Sequence, residues 1–409
     1  MDGRLVKWLR STYKKIVTSI AFYPAIIAIV FLFFSWIMLE LDFSETGKLI
    51  KANHEWIRLK DASTARSIVS TITGGIISLM VFSFSMVMIL LNQAASQMSN
   101  RMLEGMIGNR FQQIVLGTYI GTIVYSLFLL STIRDIDSGV YVPALSIYVL
   151  VLLTITDIFT FIYFLHYVTQ SAKFETIIHR VHQQTFASLK ARCDAETLEQ
   201  PIDVEKDPQI LFTKSSGTYQ GFDAKALLKI TNEYSGLVKV IHPPGSYLLY
   251  GQPMVEWYGR KLTEEEIEKV LLTFNFYIGQ PVGENFYYGL HQLTEVALKA
   301  LSPGINDPET AVLSLNALMD LFAYRLSHHP KLTTEDSGKK VRIITTERTF
   351  KDLFNDCILP IWDYGKNDLY IQQAMLNLLS QLQSLDVLKD ESTILERAKQ
   401  AVRLEMEKR

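Results

Sequence analysis

Residues 141–167 read YVPALSIYVLVLLTITDIFTFIYFLHY. The stretch holds no Lys, Arg or Glu and a single acid, Asp157. A run of about 20 apolar residues is what crosses the roughly 30 Å hydrocarbon layer of a bilayer as a helix. A charged side chain in mid-bilayer costs at least about 3 kcal/mol on insertion scales, and such residues are functional by default. One stretch therefore sets both the class of the protein and the first residue to question.

Outward from it, three more runs of the same kind occupy residues 16–39, 67–91 and 111–133. The first is preceded by Arg4, Lys7, Arg10, Lys14 and Lys15, but it is too long for a signal peptide and lacks a small-residue cleavage site, so it reads as a retained anchor. The sequence predicts an α-helical membrane protein with four transmembrane helices and an α+β, mainly helical, cytosolic C-terminal domain. The expected divisions are a membrane domain at 1–170, a helical extension of the fourth span at 171–194, a small β-leaning unit at 195–260 and a helical domain at 261–409.

Basic residues near the span ends set orientation. Five lie in the N-terminal tail, and Lys173, Arg180, Lys190 and Arg192 follow the fourth span. Both termini are thus expected in the cytoplasm of a bacterial inner membrane. The first loop dissents, although its Lys and Arg are interleaved with Asp42, Glu45, Glu55 and Asp61.

The spans differ in character. The second carries Ser67, Thr71 and Gly75 at intervals of four, with Gly74, Ser78, Ser83 and Ser85; the third carries Gly117 and Gly121. Small residues at that spacing let helices approach closely in lipid. Spans two and three are expected to bury these faces against each other or against a neighbouring subunit, as a homo-oligomer with a pore, while the Phe- and Ile-rich first span faces lipid. Residues 92–110 extend the second helix as a polar hairpin or an inner vestibule. Asp157 is either a proton or cation site, with an ion or small solute as cargo, or a neutral acid hydrogen-bonded between helices. Thr154, Thr156 and Thr160 lie near it on its own helix, and serines of span two are placed to reach across.

Apolar spacing continues through Phe174, Ile177, Ile178, Val181, Phe186 and Leu189. One helix over 142–190 would be about 70 Å long and would couple membrane to cytosol. On it Glu175, His179 and His182 share a face at metal-compatible spacing, but no fourth ligand or zinc motif accompanies them, so a solvated face is expected. Beyond a polar linker, strand-like segments at 218–222 and 237–241 flank a short helix and loosely resemble a lipoyl-type barrel-sandwich; Lys239 is not placed as a carrier lysine. Thr263 and Glu266 form a capping box. In the turn Ser302-Pro303-Gly304-Ile305-Asn306-Asp307-Pro308-Glu309-Thr310, Pro303 and Gly304 suit a type II turn, with Asp307 as N-cap and Pro308 at the first helical position. That helix N-terminus is also a small-anion site on an alternative reading, in which the chain is a membrane-anchored sensor or scaffold. His328 and His329 read as exposed loop residues, 341–345 as an edge strand, and Pro360 as a helix interruption.

With 40 basic and 42 acidic residues, nothing points to nucleic acid. Cys193 and Cys357 form no disulfide framework or metal motif and read as small buried thiols. No nucleophile–base set, phosphate loop or metal cluster is present in the sequence, so neither an enzyme nor a cofactor is expected.

Two segments carry a family resemblance: Gln113-Ile114-Val115-Leu116-Gly117-Thr118-Tyr119-Ile120-Gly121-Thr122, and Ala300 through Pro308 with Thr310-Ala311. Together they resemble the bacterial predicted membrane proteins grouped as domain of unknown function 2254. The resemblance spans nearly the whole chain and implies four N-terminal helices and a cytosolic C-terminal region, without implying an activity. Members often carry Arg-Thr and an acid where this chain has Gln280-Pro281 and Asn285, so a charged site of the family at that place would be altered here.

Overall fold

The computed structural model describes residues 19, 21–53, 61–97, 110–136, 139–171, 173–195, 207–276, 279, 282–283, 285–386 and 391–408. The expected hairpin after residue 97 and the Gln280-Pro281 pair lie outside them. The chain divides into two compact units that meet between Lys173 and Phe174.

The first unit holds α1 (Phe22–Phe43), α2 (Glu45–Asn53), α3 (Ala62–Gln97), α4 (Arg110–Thr132), the hairpin β1 (Arg134–Ile136) and β2 (Gly139–Tyr141), and α5 (Ala144–Ser171). The apolar helices α1, α3, α4 and α5 are long and apolar enough to cross a membrane, as expected. Asp61 starts α3 by accepting from the backbone N–H of Ser63 and Thr64 at 3.2 and 2.9 Å. Those bonds, with the Thr64 and Ser63 hydroxyls, hold its carboxyl well below the usual carboxylate range.

The packing partner of the glycine face is the first correction. Gly117 and Gly121 of α4 meet α1, not α3. A Cβ on Gly117 would lie 2.6 Å from Ile27 Cδ1, and one on Gly121 2.7 Å from the Phe31 ring. The small residues are what let α1 lie close along α4. Much of α1 away from α4 is exposed, with Ile29 at 67% and Phe33 at 59%, while Ser35 and Asp42 are buried. Conversely Ser67, Thr71, Gly74, Gly75, Ser78 and Ser85 of α3 are exposed, with nothing within 4 Å of a Cβ built on Gly74 or Gly75. The inner surface of α3 is instead Ala62, Ala65 and Val69, packed on Tyr125, Leu129, Ile147 and Leu150.

The second unit opens with α6 (Phe174–Arg192). The fourth span does not run on unbroken: α5 ends at Ser171, and Lys173 bridges back to the Gln170 carbonyl at 3.3 Å. No Gly or Pro marks the break. What changes is the packing partner, since Ile177, Ile178, Val181 and Leu189 are buried within the second unit.

Next come β3 (Cys193–Ala195), β4 (Gln209–Phe212), β5 (Gly217–Phe222), α7 (Ala224–Glu233), β6 (Leu237–Val240), β7 (Tyr247–Leu248), β8 (Pro253–Tyr258), α8 (Glu264–Leu271) and β9 (Phe274–Phe276). They are followed by α9 (Phe286–Ala300), α10 (Pro308–Ser327), β10 (His329–Pro330), β11 (Thr333–Glu335), β12 (Val341–Ile344), α11 (Phe350–Gly365), α12 (Leu369–Leu385) and α13 (Ser392–Glu407). The main sheet has the order β11-β12-β6-β8-β4, with β12 parallel to β6 and the other pairs antiparallel. Alternation sets its faces: Val238 and Val240 point to a core around Trp257, while Lys239 meets its cross-strand partner Glu256 at 3.0 Å.

Three expectations change here. Val341–Ile344 is an interior strand rather than an edge, so the sheet is shared between 195–260 and the C-terminal part and is no isolated barrel-sandwich. His329 is buried in β10 and pairs with Ala195, and His328 stacks on Tyr324 at 3.8 Å, so neither is a free loop residue. Helix α11 runs through Pro360. The carbonyl that a proline there leaves unbonded belongs to Asp356, which is exposed and open to water.

Candidate functional site

Asp157 is fully buried, and among the described residues neither carboxyl oxygen has a well-formed hydrogen bond, the Thr122 hydroxyl being the one side chain within loose bonding reach. It sits 13 residues into the 28-residue α5, about 20 Å from that helix's start and so near mid-bilayer. The threonines nearest in sequence do not serve it. Thr154 and Thr156 donate to their own helix, to Leu150 O at 2.8 Å and Leu152 O at 2.9 Å, while Thr160 is half-buried. The polar neighbour is Thr122 of α4. Tyr119, one turn away on α4, lies close enough to Asp157 to interact electrostatically and has Ser83 of α3 beside its hydroxyl.

Ser83, Tyr119, Thr122 and Asp157 are each fully buried, so three helices bring polar atoms to one dry place. The hydroxyls of Tyr119 and Thr122 also lack a well-formed partner among the described residues. In hydrocarbon an unpaired polar group is strongly disfavoured, which makes this cluster chemically unfinished. A proton on Asp157 or a cation against it would complete it. Below Thr122 on the same face of α4, the Ser126 hydroxyl is 2.9 Å from Thr73 of α3, and Gln113 is buried toward the other end.

A second buried acid belongs to this unit, and sequence reasoning placed it in a loop. Asp42, in the last turn of α1, is fully buried. Its Oδ2 accepts from the backbone N–H and hydroxyl of Ser146 at 2.7 and 2.8 Å, and its Oδ1 pairs with Lys51 at 2.9 Å. Asp42 therefore caps α5 from another helix. Tyr125 donates to Ser146 O at 3.1 Å, tying α4 to the same corner. The signal available was an acid one helical turn beyond the last apolar residue of a span.

In the second unit, Glu175, His179 and His182 line an open cleft of about 300 Å³ with Asp320 of α10. His182 Nε2 is 2.7 Å from Asp320, and His179 is 2.8 Å from Gln183. Among the described residues no three His, Cys, Asp or Glu converge as metal ligands. The turn after α9 uses its polar groups locally. Thr310 donates both N–H and hydroxyl to Asp307, at 3.1 and 2.6 Å, and Ser302 donates to Lys299 O at 2.6 Å. The positive φ falls on Asn306, at 50°, and not on Gly304, so the turn is not type II. Both cysteines are buried, and burial pushes the Cys357 thiol up to about 12.

The profile of the family described as "Predicted membrane protein (DUF2254)" matches residues 17–381. An uncharacterized protein of Mycobacterium bovis and one of Mycobacterium tuberculosis are each 25% identical over 333 residues, which is 77% of this chain and 63% of theirs. The chain thus spans less than two thirds of the length of these relatives. No solved structure matches it. With that profile running from just before the first apolar helix into α12, the chain belongs to the DUF2254 family of predicted membrane proteins.

Proposed function

We propose that this is a channel or transporter-like protein of the bacterial inner membrane, working as a homo-oligomer, in which Asp157 holds a proton or small cation in transit. One observation carries the reading: a fully buried carboxyl midway along an apolar helix long enough to cross a membrane, without a well-formed hydrogen bond among the described residues. Thr122, Tyr119 and Ser83 supply neutral oxygens around it, suited to a cation or to passing a proton. The polar residues from Gln113 to Ser126 extend about 20 Å along α4 and give the site a direction.

The exposed small-residue face of α3 supports a homo-oligomer, because such faces in lipid are where helices pack. The hydroxyls of Ser78 and Ser85 bond their own helix, at 2.9 Å each, which leaves that face smooth. The basic residues flanking the spans support cytoplasmic termini, with the second unit gating or assembling the bundle. A sensor reading centred on the 302–310 turn has less behind it, since Asp307 already fills that helix N-terminus.

The test is flux. Protein reconstituted in liposomes is expected to move protons or monovalent cations, and Asp157→Asn is expected to abolish or strongly alter the pH dependence of that flux. Unchanged flux in a normally assembled Asp157→Asn variant would sink the reading.

A further inference from the structure

The second unit has a partly open cavity of about 210 Å³ beside the last turn of α10, β10 and the N-terminus of α11. Arg325, His329, Glu347, Arg348 and Glu391 are among its walls. Arg325 is 5% exposed, an unusual degree of burial for a guanidinium. Its Nη1 donates to His328 O at 3.0 Å and lies 3.0 Å from His329 Nδ1. The guanidinium of Arg348 stacks 3.8 Å over the Tyr287 ring, which holds its plane, and its Nη1 is 3.9 Å from Asp356. The Nε–H groups of Arg325 and Arg348 are both buried and have no hydrogen-bond partner among the described residues.

The acid nearest to hand does not satisfy them. Glu347 is bound by a third guanidinium, Arg192, at 3.1 Å. Burial raises the Glu347 pKa while Arg192, Arg325 and Arg348 pull it down. Two cationic donors thus share the cavity with two carboxylates, Glu347, already engaged by Arg192, and Glu391, whose charge acts on Arg325. A guanidinium edge is shaped to give two parallel N–H bonds to one oxyanion, and such charge-assisted bonds are the strong ones.

We propose that this cavity binds a small oxyanion, a carboxylate or inorganic phosphate, between the guanidinium groups of Arg325 and Arg348 that line it. Size narrows the class. The volume is room for about seven waters at about 30 Å³ each, below the roughly 300–1,000 Å³ of pockets for drug-sized ligands. The site is independent of Asp157, and neither reading depends on the other.

The experiment is calorimetric titration of the full chain in detergent with sodium phosphate and, separately, sodium malonate, each against sodium chloride at matched ionic strength and pH. Saturable binding with Kd of about 1 mM or tighter is expected for at least one of them. Phosphate alone assigns a tetrahedral oxyanion, malonate alone a planar carboxylate, and either supports the proposal. Arg348→Lys keeps the charge but loses the fork, and should weaken binding tenfold or more. Arg325→Lys should do the same where circular dichroism shows it folded; if it does not fold, Arg348→Lys decides alone. Absence of saturable binding by both anions, or affinity within twofold of wild type in Arg348→Lys, overturns the proposal.

Discussion

Asp42→Ala is expected to loosen the membrane bundle more than any other single truncation of an acid in the chain. The substitution removes two bonds to Ser146, at 2.7 and 2.8 Å, and the 2.9 Å pair with Lys51. Losing a side-chain N-cap costs about 0.5–2 kcal/mol, and leaving a buried donor unsatisfied about 1–3 kcal/mol. Breaking a wholly buried ion pair costs about 3–5 kcal/mol. Lys51, however, keeps 18% of its side chain exposed and also donates to the Asp42 carbonyl at 2.6 Å, so only a fraction of that cost applies. The total is about 3 kcal/mol. Asp42→Asn keeps one oxygen for the Ser146 N–H and should cost about 1 kcal/mol. Unfolding in mixed micelles, followed by far-ultraviolet circular dichroism, measures both. If Asp42→Ala lies within about 0.5 kcal/mol of wild type, the ordinary range of surface substitutions, the cap contributes nothing and the reasoning fails.

Gly121→Leu should destabilise the first unit by about 1–3 kcal/mol by forcing α1 off α4, since a mere Cβ there lies 2.7 Å from the Phe31 ring; the same unfolding assay reads it. Gly75→Leu meets open space within one chain. It should leave the unfolding midpoint unchanged yet shift the protein from oligomer to monomer in size-exclusion chromatography with light scattering, and an unshifted oligomer counts against α3 as the contact. Glu266 is held at about 2, first by its hydrogen bond from Arg260 and then by the Thr263 N–H. A carboxyl depressed in the folded state stabilises it above the unfolded value of 4.5, and that contribution disappears as pH falls toward about 2. Glu266→Gln should therefore flatten the acid limb of stability against pH for the second unit, and an identical limb in both proteins refutes the assignment.

Features that depend on neighbours in sequence were legible. The four spans follow from composition, and the caps at Asp307 and Thr263 from residue types at fixed offsets. Asp157 stood out because a charge in an apolar run is visible in one dimension. Its neighbour Thr122 was not, because which α4 residue faces α5 depends on helix rotation and relative height, and neither has a local signal. Asp42 failed differently: its partner Ser146 is 104 residues away, and an acid just past a span looks like an interfacial charge. The parallel pairing of β12 with β6 and the burial of His329 against β3 are long-range in the same sense. Arg325 and Arg348 carry no mark in sequence at all, since a buried guanidinium and an exposed one are spelled alike.

The interior position of β12 in the sheet has a consequence for biosynthesis. Strand β6 ends at Val240 and its parallel neighbour begins at Val341, about 100 residues later. At about 5–20 residues per second, the ribosome needs roughly 5–20 s to deliver that neighbour. Throughout that interval β6 offers an open edge of unpaired amides, already tethered to a membrane by the spans made before it. Chaperone protection during translation is needed most between the emergence of Val240 and that of Ile344, and a truncation inside this window would leave a sheet lacking its interior strand.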